Sequence, residues 1–265
     1  MTREVASVLA GRLAAAGLDW IVPAWSAPAH VGALATTRSG GVSGGPFATM
    51  NLGRSGRDDA SALAENRRRL TAFLPSPPVW LDQVHGTAVA VLTRDSATLP
   101  GPVADAAVTV EPGVVCAILT ADCLPVLFTD RGGAAVGIAH AGWRGLAAGV
   151  VEATIAELCA LGVRRDDLMA WLGPAIGPAR FEVGTDVRDA FCADDPGANG
   201  CFTPQEPAKW HADLYALARR RLARGGVKRV SGGGFCTCTD AARFFSYRRE
   251  RESGRMAAAV WLEGK

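Results

Sequence analysis

Apolar residues are densest between residues 114 and 145, VVCAILTADCLPVLFTDRGGAAVGIAHAGWRG, where two apolar runs predict buried strands joined through the turn sequence Asp130-Arg131-Gly132-Gly133. Both runs lead into groups able to bind a metal or do chemistry. Ala121-Asp122-Cys123 lies beside the first, and His140-Ala141-Gly142-Trp143-Arg144 ends the second. Downstream, Leu146, Val150, Ile155, Leu158 and Leu161 fall on one helical face, predicting a helix from about residue 145 to 161 that Gly162 stops.

Upstream, the first twenty-odd residues pattern as a short amphipathic helix, after which Pro23 and Pro28 impose extended chain. Residues 30–37 alternate as a strand and enter a glycine-rich loop that ends near Asn51-Leu52-Gly53. Such a loop could cradle an anion on its N–H groups, with Arg38 adding charge, and it serves equally well as a plain connection. Asp58 or Asp59 can cap a helix reaching about Phe73. Residues 79–84 (VWLDQV) and 89–92 predict a hairpin turning at Gly86, and residues 104–110 form a further strand whose apolar character Asp105 breaks. Past the central helix, residues 168–172 read as a buried strand and 173–178 as a rigid Gly-Pro loop. Residues 185–193 and 209–223 read as helices, and 228–230, 243–247 and 256–262 as short strands. Strands dominate the middle while helices are intercalated irregularly, without repeats or a linker, which predicts an α+β or mixed α/β chain with one core.

Composition narrows the class. A net charge of +2 is too small to suggest an extended nucleic-acid or membrane footprint. Only Lys209, Lys228 and Lys265 are lysines among 28 basic residues, a bias that discounts the arginine runs 67–69, 219–221 and 248–251, read here as solvated faces. No apolar run approaches the roughly 20 residues that span a bilayer, and the first residues lack an apolar leader, so a cytoplasmic protein is expected. Seven scattered cysteines fit reduced thiols better than a disulfide framework.

Of the four histidines, His85 and His140 each end a strand against glycine, as Cys123 does beside Asp122 and Pro125; His30 and His211 read as structural or exposed. Three soft or borderline ligands at strand ends are raw material for a metal site, although their spacing matches no compact zinc motif. A His₂Cys set would leave the fourth position of a tetrahedral Zn²⁺ open to water or substrate, the mark of a catalytic site. The same residues allow a metal-free reading, with Cys123 as thiolate nucleophile beside a histidine. Cys236-Thr237-Cys238 reads as two buried thiols.

The motifs Thr37-Arg38-Ser39-Gly40-Gly41-Val42-Ser43, Asn51-Leu52-Gly53, Gln83-Val84-His85-Gly86, Ala104-Asp105-Ala106, Thr120-Ala121-Asp122-Cys123-Leu124-Pro125-Val126, His140-Ala141-Gly142-Trp143-Arg144-Gly145, Gly173-Pro174-Ala175-Ile176-Gly177 and Phe244-Phe245-Ser246-Tyr247-Arg248-Arg249 occur in one order. Together they resemble the YfiH-type laccase-domain family, also called polyphenol oxidase or peptidoglycan editing factor. The resemblance spans most of the chain, from about residue 31 onward. It implies a single α+β domain, here residues 1–265 with its core at about 30–264, of packed mixed β-sheets flanked by helices. It also implies a zinc held by His85, Cys123 and His140, and purine nucleoside chemistry: phosphorolysis of adenosine, inosine, guanosine and methylthioadenosine, with adenosine deamination alongside. The expected partners are therefore a small nucleoside and phosphate.

Within that reading Asp122, the carboxylate nearest Cys123 in sequence, is the candidate proton carrier. Arg38, Asn51, Gln83 and Arg144 are the candidate substrate contacts, Arg38 and Arg144 for the anion. Copper on the same three ligands is less favoured, and four histidines are too few for a trinuclear copper cluster. Peptidoglycan editing, the hydrolysis of a wrong amino acid from a nucleotide-linked wall precursor, stays open. So does a non-enzymatic module whose zinc only stabilises the fold, against which three ligands argue.

Overall fold

The structure, a computed structural model, describes residues 4–54, 57–98 and 100–264. In chain order its strands are β1 Val31–Ala35, β2 Val79–Trp80, β3 Val89–Val91, β4 Ala106–Thr109, β5 Val115–Thr120, β6 Leu124–Asp130, β7 Val136–Ala141, β8 Leu168–Leu172, β9 Glu182–Gly184, β10 Phe202–Pro204, β11 Lys209–Ala212, β12 Arg229–Gly232 and β13 Met256–Leu262. The helices are α1 Val5–Ala15, α2 Ala60–Thr71, α3 Trp143–Ala148, α4 Val150–Ala160, α5 Thr185–Cys192, α6 Leu214–Arg224 and α7 Tyr247–Glu250. No helix among the described residues is long and apolar enough to cross a membrane.

Two mixed sheets form the centre, one ordered β1-β13-β5-β2 and the other β12-β8-β6-β7-β4-β3; β10-β11-β9 make a small third sheet. Period-2 alternation decides the layering. On β5, Cys116 and Ile118 point into the core between the two large sheets, while Val115 and Ala117 point outward to α1 and α2 with Leu9, Leu13 and Leu70. On β6, Leu127 faces the inter-sheet core, and Val126 and Phe128 face the core made with α4 and α6. Strands buried on both faces must be apolar throughout, which explains the continuous runs near residue 120. The α+β architecture of mixed sheets flanked by helices is the one expected.

Five local expectations change. The first apolar run is two strands in different sheets, because β5 belongs to the four-stranded sheet and β6 to the six-stranded one. The chain crosses between them at Ala121-Asp122-Cys123, with Asp122 in the left-handed region at φ 85°. Residues 79–92 form no hairpin: β2 pairs parallel with β5 and β3 parallel with β4, so His85 lies in the passage from one sheet to the other. The central helix breaks at Gly149, φ 103°, into α3 and α4, a conformation that costs glycine least. Residues 209–212 are strand β11, pairing with β9 and β10, and residues 243–246 join no strand before α7. Asp59 does cap α2, accepting the Ala62 N–H at 2.8 Å.

Candidate metal centre

Three chain segments converge at one end of the two sheets. Pro125 of β6 pairs with His140 of β7, and Leu124 with Ala141, so Cys123 sits at the end of β6 beside Gly142. A Cβ on Gly142 would stand 2.9 Å from Cys123 Sγ and 3.0 Å from His85 Cδ2, so only glycine fits this close approach. His85 arrives from the passage between the sheets. Its Nε2 lies 3.8 Å from Cys123 Sγ, and its ring meets that of His140 edge-on at 4.8 Å between centroids. One ligand atom from each of the three lies within 4.8 Å of the others.

Asp105 builds this arrangement. It is fully buried just before β4, where its carbonyl accepts the His140 N–H at 2.7 Å. Oδ1 accepts from His140 Nδ1 at 2.8 Å and from the His85 N–H at 2.9 Å; Oδ2 accepts from the N–H groups of Gly86 and Val84 at 2.7 and 3.1 Å. Three consecutive backbone donors wrapped on one carboxylate hold His85 at φ 61°, a left-handed conformation that costs a non-glycine residue about 1–2 kcal/mol. The bond to Nδ1 fixes the proton there and leaves His140 Nε2 as the ligand atom. Burial would raise the Asp105 carboxyl, but His140 and the backbone donors outweigh it and hold it below the ordinary carboxylate value. Burial likewise opposes ionisation of the Cys123 thiol, yet His140 and His85 prevail and bring it down to about 6. The thiolate and Asp105 in turn favour the protonated form of His140 over the cost of burying it.

The donor set suits a divalent cation. Ligand atoms about 2.0–2.3 Å from a tetrahedral ion stand roughly 3.5 Å apart, close to the separation of His85 Nε2 and Cys123 Sγ, and an accessible thiolate with an oriented imidazole is what such an ion requires.

The trio opens into a cleft of about 1300 Å³ that Trp80, Trp143, Phe181 and Tyr247 also line. The expected accessory residues fare unequally here. Arg144 reaches the cleft exposed, stacked over Trp143 at 4.5 Å and without a hydrogen-bond partner among the described residues. Asp122 lines the cleft, but its carboxylate accepts from Thr237 Oγ1 (2.6 Å), Ser246 Oγ (3.0 Å) and the Arg248 N–H (2.7 Å). These bonds tie the start of α7 to the crossover and engage both carboxylate oxygens in holding the fold. Gln83 spends its carboxamide on both main-chain groups of Leu119, at 2.8 and 3.0 Å. Asn51 is buried, accepting from the N–H groups of Gly53 and Arg255 at 2.9 Å and donating to Asp58 at 2.8 Å.

Arg38 does not line the cleft. Its guanidinium donates to the carbonyls of Ala48 and Ala241, pairs with Glu250 at 3.3 Å and lies over the Phe245 ring. The glycine-rich loop beside it is closed as well: Gly41 N donates to Thr49 Oγ1, Val42 N to the buried Asn66 Oδ1, and Ser43 N to the Thr49 carbonyl. Polar side chains that fold the loop onto itself, Asn66 above all, remove the anion cradle. The arginine runs are not uniformly solvated either, since Arg221 is buried against Glu152 and Asp194, and Arg67 and Arg248 line the cleft. His30 bonds the Gly133 carbonyl and His211 lies on β11, both apart from the trio. Cys236 accepts the Gly177 N–H at 3.2 Å and lines a different cavity. Asp105 is absent from the expected site residues, although it interrupts an apolar strand and lies within the motif Ala104-Asp105-Ala106.

Residues 32–263 match the family described as multi-copper polyphenol oxidoreductase laccase. A purine nucleoside phosphorylase of Pseudomonas aeruginosa is 56% identical over 245 residues, covering 92% of this chain and 98% of the relative. The purine nucleoside phosphorylase YfiH of Escherichia coli is 50% identical over 244 residues, covering 91% and 98%. Among solved structures, Neisseria meningitidis protein NMB0706 superposes with a TM-score of 0.88 at 48% identity over 93% of this chain and all of that one. YlmD from Geobacillus stearothermophilus gives 0.85 at 32% identity over 92% and 96%.

Proposed function

Because the chain belongs to the YfiH-type, multi-copper polyphenol oxidoreductase laccase family, we propose that it is a metal-dependent purine nucleoside phosphorylase that also deaminates adenosine. In the first reaction orthophosphate displaces the base from C1′, giving ribose 1-phosphate and free purine; in the second, water replaces the 6-amino group and ammonia leaves. The observation that carries the reading is a His₂Cys cluster on the wall of an aromatic, arginine-lined cleft. Relatives named purine nucleoside phosphorylase, alike over more than nine-tenths of both chains, support the nucleoside.

His85, Cys123 and His140 would hold the ion, taken here as Zn²⁺, for which three protein ligands leave the open position of a catalytic site. A bound Zn²⁺ supplies Lewis-acid polarisation at the reacting centre. The chain's own groups do the rest. Asp105 keeps Nδ1 of His140 protonated and His85 in its left-handed turn, so both rings are presented before substrate arrives. Trp143 and Trp80 offer faces on which a purine can stack, worth about 1–3 kcal/mol per base. Arg144, without a competing carboxylate or hydrogen-bond partner among the described residues, can neutralise negative charge on phosphate or on the departing base. Asp122 holds the start of α7 through Oδ2 and Thr237 through Oδ1, which favours a different group as the proton carrier.

A thiolate mechanism is the second reading, favoured by the depressed Cys123 thiol next to His85. One experiment separates these. Adenosine is incubated with the protein, with and without phosphate, before and after chelation, and inosine, hypoxanthine and adenine are resolved. Phosphate-dependent adenine lost on chelation and restored by Zn²⁺ supports the proposal; turnover that survives complete metal removal supports the thiolate.

A further inference from the structure

The cleft has a second polar pole that no part of this mechanism uses. Three arginines on or packed against the segment that runs from Asn51 to Arg54 line the cleft: Arg54, Arg67 and Arg255. Arg67 reaches it from α2, donating Nε and Nη2 to the Leu52 carbonyl at 3.3 and 2.8 Å and stacking over Trp80 at 4.8 Å. Arg255 enters from the start of β13. Its backbone N–H donates to Asn51 Oδ1 at 2.9 Å, and its side chain passes so close to Gly53 that a Cβ there would stand 2.6 Å from Cγ. The Arg255 guanidinium bonds the Ser253 and Gly254 carbonyls and lies over Tyr247 at 5.9 Å. Arg54 is exposed at the end of the segment, without a hydrogen-bond partner among the described residues.

None of the three pairs with a carboxylate among the described residues, although arginines elsewhere on the chain do, as Arg220 with Asp195 and Arg224 with Asp194. The carboxylates nearby in sequence are engaged otherwise: Asp58 with Asn51 and Ser43, and Glu252 with Arg57. Asp82 lines the same cleft and pairs with none of them. Burial and the positive charge of Arg54 lower the Arg67 guanidinium to about 10, as expected for like charges held close without an anion between them. The hydrogen bonds to carbonyls and the aromatic stacking fix the orientation of Arg67 and Arg255 while leaving their charge unneutralised.

We propose that Arg54, Arg67 and Arg255 form a phosphoryl subsite, filled by free orthophosphate or by a phosphate ester carried on the substrate. A tetrahedral dianion suits planar forks that approach from several directions, and it supplies the missing countercharge. This assignment rests on the nucleoside reading for its relevance to turnover, and it adds to Arg144 the second anion contact that Arg38 and the closed glycine loop do not supply.

The test uses the full chain and calorimetric titration with three probes: inorganic phosphate, adenosine and adenosine 5′-monophosphate. Arg54→Gln is the variant least able to disturb folding, and Arg54→Gln/Arg255→Gln removes two of the three charges; circular dichroism checks both. In the double variant the dissociation constant for a phosphoryl probe is expected to rise about tenfold or more, while that for adenosine stays within about twofold. A loss for inorganic phosphate identifies the free anion as occupant. A loss for the monophosphate alone identifies the ester. Unchanged affinity for both in a folded double variant overturns the subsite. Adenosine turnover by the wild-type protein is measured in the same preparation. If it is absent while the variants still lose phosphoryl binding, the nucleoside reading fails and the subsite stands. If it is present while phosphoryl binding is unmoved, the reverse holds.

Discussion

The Asp105 carboxylate lies 2.8 Å from Nδ1 of His140 and, through the same oxygen, 2.9 Å from the backbone N–H of His85. One buried acid therefore sets both the tautomer of one imidazole and the backbone turn of the other. Replacing it tests whether the cluster is assembled by its surroundings or by a metal alone.

Asp105→Asn keeps the shape, but its neutral amide has one acceptor oxygen for four donors. Zn²⁺ affinity, measured by competition with a chromophoric chelator, is expected to fall about 10–100-fold, as for other supports of metal-bound histidine. Thermal unfolding of the metal-free protein reports the structural cost separately. A variant that binds Zn²⁺ like the wild type would show that Asp105 does not position the ligands.

Gly142→Ala places a methyl group 2.9 Å from Cys123 Sγ, in a gap that neither Sγ nor the His85 ring can leave without separating the trio. Metal stoichiometry should drop while the denaturation midpoint moves little, since the change is confined to the sheet end. Equal metal content would mean that the cluster tolerates expansion at this point.

Thiol chemistry follows from two opposite shifts. Cys123 is brought down to about 6 by its histidines, whereas burial alone pushes the fully buried Cys116 thiol up to about 12. In metal-stripped protein at pH 7, iodoacetamide should label Cys123 rapidly and leave Cys116 unmodified. A depressed thiol loses its proton as pH rises through about 6, so labelling of Cys123 should increase between pH 5 and 7 and then level off, where a free thiol keeps accelerating to about pH 8.5. Zn²⁺ should protect it. Peptide mapping by mass spectrometry reads all three outcomes.

Phe128 tests the layering. It is fully buried on the helix-facing side of β6, so Phe128→Ala should cost about 3–5 kcal/mol in urea denaturation. A cost below about 1 kcal/mol would contradict the packing described.

Much of this was legible in the residues because it depends on local physics. The apolar runs of β6, β8 and β13, the Asp59 cap and the strand-end placement of Cys123 and His140 follow from periodicity, capping and turn chemistry. What failed depends on partners distant in sequence. Nothing in VVCAILTADCLPVLFTD marks β5 and β6 as members of different sheets, because strands buried on both faces look alike whichever sheet they join. Val79 to Val91 imitates a hairpin, yet β2 and β3 find parallel partners elsewhere. Asp122 looked like the proton carrier by adjacency to Cys123, but its left-handed backbone is accompanied by a carboxylate committed to Thr237 and Ser246, more than a hundred residues on. Asp105 and the arginines around Asn51 acquire meaning only when the chain is closed.

The most direct measurement is adenosine turnover by protein whose metal has been counted. The account predicts adenine release that requires phosphate, scales with about one equivalent of Zn²⁺ per chain, disappears on chelation and is abolished in Cys123→Ala. Full turnover by metal-free protein, or by Cys123→Ala, would contradict it.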